Sequence, residues 1–144
     1  NTYGPRIRGD GTYARAVSRF ISQTLAGEDM TVFDDGKQMR SFCYITDTIT
    51  GILKVAADSR ATGEVFNIGN PQEITIMDLA YKVKELVGSK SRIVHGPLPP
   101  DDPQRRCPDI SKVKKLLGWT PTVRLEEGLK KTIEWFKQRK ETVR

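Results

Sequence analysis

The stretch Thr31-Val32-Phe33-Asp34-Asp35-Gly36-Lys37-Gln38-Met39-Arg40-Ser41-Phe42-Cys43-Tyr44-Ile45 sets two short extended runs on either side of a turn. Thr31-Val32-Phe33 is β-branched and aromatic, which suits a pleated strand. Asp34-Asp35-Gly36 supplies turn residues, and Ser41 to Ile45 reads as a second extended segment rich in aromatics. Directly after it the period changes, with Ile49, Ile52, Leu53 and Ala56 sharing one helical stripe. Directly before it, Val17, Phe20, Ile21 and Leu25 recur at helical spacing up to Gly27, giving a helix with one buried face. Strands this short, interleaved with helices, predict an α/β fold.

The same alternation continues outward. Asn1 to Pro5 reads as an opening turn and Gly9-Asp10-Gly11 as a loop. Glu64 to Ile68 reads as a strand that breaks at Gly69-Asn70-Pro71. Thr75 then caps a helix with Asp78 three residues on, Ile76, Leu79, Ala80, Val83 and Val87 on one face, and Gly88 as the stop. Ser91 to His95 is a further strand. Gly96 to Pro108 is rich in proline and reads as an extended irregular loop, of the length that often carries function. Two helices close the chain, one with Val113, Leu116 and Leu117 before Gly118, the other with Leu125, Leu129, Ile133 and Phe136. Trp119 and Trp135 pack this end.

The 144 residues fit one folding unit. With 24 basic and 18 acidic residues the net charge is +6, which admits an anionic ligand or nucleic acid. Lys130, Lys131, Lys137, Arg139, Lys140 and Arg144 against Glu134 and Glu141 place +4 of it on the last helix and tail, as on a solvated terminal helix. A nucleic-acid module would need basic residues set among aromatic platforms or along a groove-reading helix, and no nucleic-acid partner is expected. No apolar run approaches the roughly 18 residues of a membrane helix, so no membrane association is expected. Cys43, Cys107 and the single histidine, His95, make neither a zinc cluster nor a disulfide framework, so a reducing, cytoplasmic setting is the simplest. Nothing places a nucleophile beside His95, which reads as structural.

Chemistry is better carried by arginine. Arg40 stands before the second extended run and Arg105-Arg106 stands in the Pro-rich loop. A guanidinium is planar, permanently charged and able to grip two oxyanion oxygens, so two of them from different segments suit a diphosphate; the alternative is a solvated surface arginine. Two familiar signals do not occur. No strand is followed by Gly-x-Gly-x-x-Gly, the dinucleotide phosphate cradle. No tyrosine opens a Tyr-x-x-x-Lys pair, since Tyr3, Tyr13, Tyr44 and Tyr81 are followed four residues later by Ile7, Val17, Thr48 and Glu85.

Four ordered blocks then bring a resemblance: Asn1-Thr2-Tyr3-Gly4-Pro5-Arg6, Thr31 to Phe42, Val65-Phe66-Asn67-Ile68-Gly69-Asn70-Pro71, and Pro99-Pro100-Asp101-Asp102-Pro103-Gln104-Arg105-Arg106-Cys107-Pro108-Asp109-Ile110. Together they resemble the C-terminal half of the extended short-chain dehydrogenases/reductases (the NAD-dependent epimerase/dehydratase family) that act on nucleotide sugars. The last block is similar to the branch that decarboxylates UDP-glucuronate. The resemblance implies that residues 1–144 form a substrate-binding lobe of a Rossmann-type enzyme, about five helices with short strands, with the NAD-binding half upstream and the isolated chain inactive.

For the whole enzyme it implies UDP-glucuronate as substrate, UDP-xylose as product through a C4-keto intermediate, NAD as cofactor, and a homodimer. Among site residues it implies Asn1 on the sugar or phosphate, Val17, Ser18 and Phe20 lining the uracil pocket, and Phe33 beside the base. It gives Arg40 and Arg106 the diphosphate with Asn67 beside them, Arg106 also a part in proton delivery after carboxylate loss, and Arg15 a reach toward the cofactor. Tyr3, Gly4 and Pro5 fix the turn that presents Asn1. Asp34 stands where the family usually has glycine, so either its carboxylate points to solvent or the turn differs. A UDP-sugar 4-epimerase or a dTDP-glucose 4,6-dehydratase is the alternative within the family, and a non-catalytic nucleotide-sugar-binding regulator the alternative outside it.

Overall fold

The computed structural model describes residues 1–9 and 15–142. Asp10 and Gly11, the centre of one expected loop, lie outside the described residues. Two residues, Thr2–Tyr3, form β1, and α1 runs over Ala16–Ala26. Val17, Phe20, Ile21 and Thr24 of α1 are buried at i, i+3, i+4 and i+7, as the sequence spacing requires. Gly27 ends the helix at φ 76°, a left-handed conformation that a residue without Cβ adopts at least cost. Next come β2 at Met30–Phe33, β3 at Met39–Ser41, β4 at Cys43–Tyr44 and α2 at Ile45–Ala57. The second half holds a 3-10 turn at Ser59–Ala61, β5 at Glu73–Thr75, α3 at Ile76–Val87, β6 at Ile93–Gly96, β7 at Arg105–Arg106, α4 at Ser111–Leu117 and α5 at Leu125–Thr142.

The strands make three small sheets. β1 lies parallel to β4, β2 parallel to β6, and β3 sits between antiparallel β5 and parallel β7. Helices α1, α3 and α5 close over them. Phe20, Ile21, Met30, Val32, Leu79, Val83 and Leu129 meet in the main core with almost no solvent contact. Burying each of these side chains stabilises the fold by about 1.5–3 kcal/mol before conformational entropy is set against it. A second cluster gathers Ile110, Val113, Leu117 and Trp119 at the end of the chain where α4 packs.

Three expectations are corrected, and the facing of α2 is added. The run from Ser41 to Ile45 is not one strand: β3 ends at Ser41, β4 covers only Cys43–Tyr44, and Ile45 already opens α2. The break lets the chain leave the β5–β3–β7 sheet and pair with β1 instead. Glu64 to Ile68 is extended but makes no ladder among the described residues, and Val65 is 82% exposed. The Pro-rich segment is not wholly irregular, because Arg105–Arg106 pairs with β3. Lastly, the apolar stripe of α2 faces outward: Ile49, Ile52 and Leu53 are exposed, while Asp47 and Gly51 are the buried positions. Asp47 is held because its carboxylate accepts from the Thr122 hydroxyl at 3.0 Å and the Val123 backbone N–H at 2.9 Å, tying α2 to the entry of α5. Gly51 is held because Ile68 and Trp119 approach its backbone too closely for a Cβ.

Candidate nucleotide-sugar site

A cleft of about 320 Å³ opens where β1, the first turn of α1, the end of β2, β3 and β7 converge. Each element contributes through its local geometry. The parallel pairing of β1 with β4 fixes Tyr3, whose hydroxyl donates to the Leu125 carbonyl at 3.1 Å, and so sets Asn1 at the cleft mouth. Arg15 is the N-cap of α1 and lines the cleft with Ala16, Val17 and Arg19. No acidic residue occupies the first turn of α1, so its positive dipole end is uncompensated there. Phe33 ends β2 and lines the cleft.

The charge centre is a cross-strand pair. In the parallel register Arg40 lies opposite Arg106, so both side chains stand on one face of the sheet. Arg105, one residue away, points to the other face and grips Glu73 with two bonds of 2.8 and 2.6 Å. Period-two alternation therefore selects Arg106 for the cleft. Like charges directly opposite each other are destabilising in a sheet, and here one is compensated. Arg40, with 8% of its side chain exposed, donates to Asp102 Oδ1 at 2.8 Å and to the Met39 carbonyl at 2.8 Å. Arg106 is exposed, and it makes no side-chain hydrogen bond or ion pair among the described residues. Among the described residues of the cleft lining, four arginines, Arg15, Arg19, Arg40 and Arg106, thus face one carboxylate, Asp102.

The cleft gathers six of the expected positions, Asn1, Arg15, Val17, Phe33, Arg40 and Arg106. It does not gather three others. Ser18 is fully buried with its hydroxyl donating to the Arg15 carbonyl at 3.1 Å, which serves the helix start. Phe20 is wholly inside the core, because on α1 it falls on the face toward α3. Asn67 donates to the Asp109 carbonyl at 3.1 Å and does not line the cleft. Asp34 is exposed and lies outside the cleft lining, in a left-handed conformation at φ 52°. Glycine takes this conformation freely, and Asp costs more there. His95 contacts the Asp34 carbonyl through Nδ1 at 2.6 Å and braces this turn.

Two cleft residues carried no sequence signal. Arg19 sits one helical turn beyond Arg15, with its guanidinium 4.3 Å from the Phe33 ring centroid and Nη2 donating to the Thr31 carbonyl at 3.3 Å. Gln38 is 2% exposed and donates from Nε2 to the Phe33 carbonyl at 3.1 Å. The chemistry the cleft supports is recognition of a flexible anion with an aromatic end: cations for phosphate at one side, a flat ring at the other. No Gly-rich phosphate cradle lies on the described elements that line the cleft.

No group of His, Cys, Asp and Glu among the described residues is arranged to hold a metal ion. No helix among them is long and apolar enough to cross a membrane. Both cysteines are free.

Comparison with known proteins agrees with this geometry. The chain is 49% identical over 137 residues to UDP-glucuronic acid decarboxylase 1 of Danio rerio, covering 94% of this chain and 32% of that protein. It is 48% identical over 139 residues to UDP-glucuronic acid decarboxylase 3 of Arabidopsis thaliana, covering 96% and 40%. Among solved structures it superposes on UDP-glucuronic acid 4-epimerase from Bacillus cereus, in complex with UDP-glucuronic acid and NAD, with a TM-score of 0.88 and 34% identity, covering 96% of this chain and 43% of that one. The chain thus spans between about a third and two fifths of the length of these curated relatives. The α/β lobe with five helices and short strands expected from the sequence is borne out. Residues 1–132 match the family model described as GDP-mannose 4,6 dehydratase, and the chain belongs to that family, within the extended short-chain dehydrogenases/reductases.

Proposed function

We propose that residues 1–144 are the nucleotide-sugar-binding portion of a longer, cytoplasmic, NAD-dependent UDP-glucuronate decarboxylase. The observation that carries this reading is the Arg40–Arg106 cross-strand pair opening onto the same cleft as Phe33. In it, Arg106 and Arg40 hold the diphosphate, Asn1 meets the sugar or its phosphate, Phe33 stacks on uracil, and Arg15 faces the cofactor side. In the same reading Arg106 also assists proton delivery after carbon dioxide leaves. NAD, bound mainly by a portion upstream, would supply reversible hydride removal at C4 of the sugar. The resulting ketone accepts the electrons of the breaking bond to the carboxylate, which is why an oxidoreductase framework suits a lyase reaction. The identity to UDP-glucuronic acid decarboxylases and the share of their length that the chain spans support this division of labour. So do the outward apolar stripe of α2 and the exposed Val65 of the unpaired 64–68 segment, apolar surface suited to packing against further chain.

The test is twofold. The 144-residue chain should bind UDP in calorimetry yet release no carbon dioxide from UDP-glucuronate with NAD. The complete enzyme should convert UDP-glucuronate to UDP-xylose and carbon dioxide. Decarboxylation by the chain alone would overturn the division. A complete enzyme giving UDP-galacturonate would instead establish the 4-epimerase reading, which the likeness to the Bacillus cereus structure favours as the second choice.

A further inference from the structure

Arg106 enters the cleft on β7, an edge strand of two residues that follows the Pro-rich stretch and lies parallel to β3. So short a parallel strand makes few ladder bonds. Two side-chain clasps add to its hold, one on each face of the sheet. On the cleft face Asp102, just before β7, binds Arg40 at 2.8 Å. On the outer face Arg105 reaches across the central strand to Glu73 of β5, Nε and Nη2 donating to the two carboxylate oxygens at 2.8 and 2.6 Å. The register explains how this reach is possible. Arg105 lies opposite Met39 and Glu73 opposite Ser41, so both side chains leave the sheet on the same face, with the small Ser41 on the strand between them. Neither Glu73 nor Arg105 is among the described residues of the cleft lining.

The two clasps differ in what an anionic ligand does to them. A diphosphate held by Arg40 takes the place of the Asp102 carboxylate and so opens the inner clasp, while the outer clasp lies beyond its reach. Resting on the nucleotide-sugar reading above, we infer that Glu73, acting through Arg105, is a positioning residue for Arg106: the outer clasp keeps β7 in register on β3 while the ligand is bound, and so keeps the Arg106 guanidinium on the cleft face. The clasp is bidentate and joins the two outer strands of the sheet, so it fixes direction as well as distance. The Arg105 side chain is 70% exposed and that of Glu73 16%, and a pair so open to water adds little to overall stability. Its loss is felt where a small shift of one strand matters, in the reach of Arg106, rather than in unfolding.

Charge alone predicts the opposite sign. Removing a carboxylate near a phosphate site strengthens anion binding through the general field, whereas removing a positioning carboxylate weakens it. In calorimetric titration of the chain with UDP, Glu73→Gln and Arg105→Gln should each weaken binding by about three- to fivefold, with the thermal midpoint little changed. Beside Arg106→Ala, the Glu73→Gln change should have no further effect, because the group it positions is gone. Exchanging the pair, Glu73→Arg with Arg105→Glu, keeps the net charge and restores the clasp with reversed polarity, so it should return the affinity of the unsubstituted chain. Tighter or unchanged UDP binding in Glu73→Gln, a loss that persists in full beside Arg106→Ala, an exchange that restores nothing, or a loss of fold in Glu73→Gln overturns the positioning role alone. No binding of UDP to the unsubstituted chain overturns the nucleotide-sugar reading, and the positioning role with it.

Discussion

Asp102 holds the guanidinium that the proposed function gives to a diphosphate. Its carboxylate therefore competes with a phosphate for Arg40 and adds repulsion at the same spot. Asp102→Asn should bind UDP about tenfold more tightly, roughly 1.4 kcal/mol, whereas Arg106→Ala should weaken binding by a similar factor. Calorimetry on both variants in one buffer checks the opposite signs, and two changes of the same sign would contradict the assignment. The two thiols differ as well. Burial pushes the Cys43 thiol up from its ordinary range, so less of it is thiolate at a given pH. Cys107 is only partly buried. A thiol reagent at mildly alkaline pH should modify Cys107 first, with Cys43 following only on unfolding. At this scale Arg40, Arg106, Phe33 and Asn1 were legible because each stands in a motif. Arg19 and Gln38 were not, since what marks them is contact with Phe33 made in the folded chain.

Helices were read correctly wherever their apolar period met the core, as in α1 and α3. Both also carry their stop signal, Gly27 and Gly88, each in a left-handed conformation. Strands were read less well. β4 and β7 are two residues each, and their pairing with β1 and β3 is a tertiary event that no local pattern announces. α2 shows another limit, because its apolar stripe is real while its fully buried positions are Asp47 and Gly51. Asp47 is the pin among them. Asp47→Ala removes the acceptor of both Thr122 and the Val123 N–H and should destabilise the chain by about 1–3 kcal/mol. Thermal and urea unfolding would detect this, and a shift below about 0.5 kcal/mol would show that the pin carries little.

For the molecule as a whole, the core is complete on one side and an apolar strip is uncovered on the other. Ile52 and Leu53 are 55% and 62% exposed on α2. The chain on its own should bind a hydrophobic dye, and the double change Ile52→Glu, Leu53→Glu should lower that signal without lowering the unfolding midpoint. Loss of the fold in this variant would mean that the stripe is packed in solution after all. The overall class, α/β with five helices, was legible from alternation. The direction of each face was not, because direction depends on what packs where.

The tandem Arg105–Arg106 carries a consequence of its own. Its strand is joined to β6 by the Pro-rich stretch from Pro97 to Gln104, and strand register beside β3 decides which of the two faces the cleft. A one-residue slip exchanges the faces of a strand. Because Arg105 precedes Arg106, the gain of one residue in that stretch would still present a cation opposite Arg40, whereas the loss of one would bring Cys107 there. What would be forfeited is the contact with Glu73 on the outer side. The repeat therefore makes the cleft tolerant of a one-residue insertion in that loop, a form of robustness that a single arginine would not give.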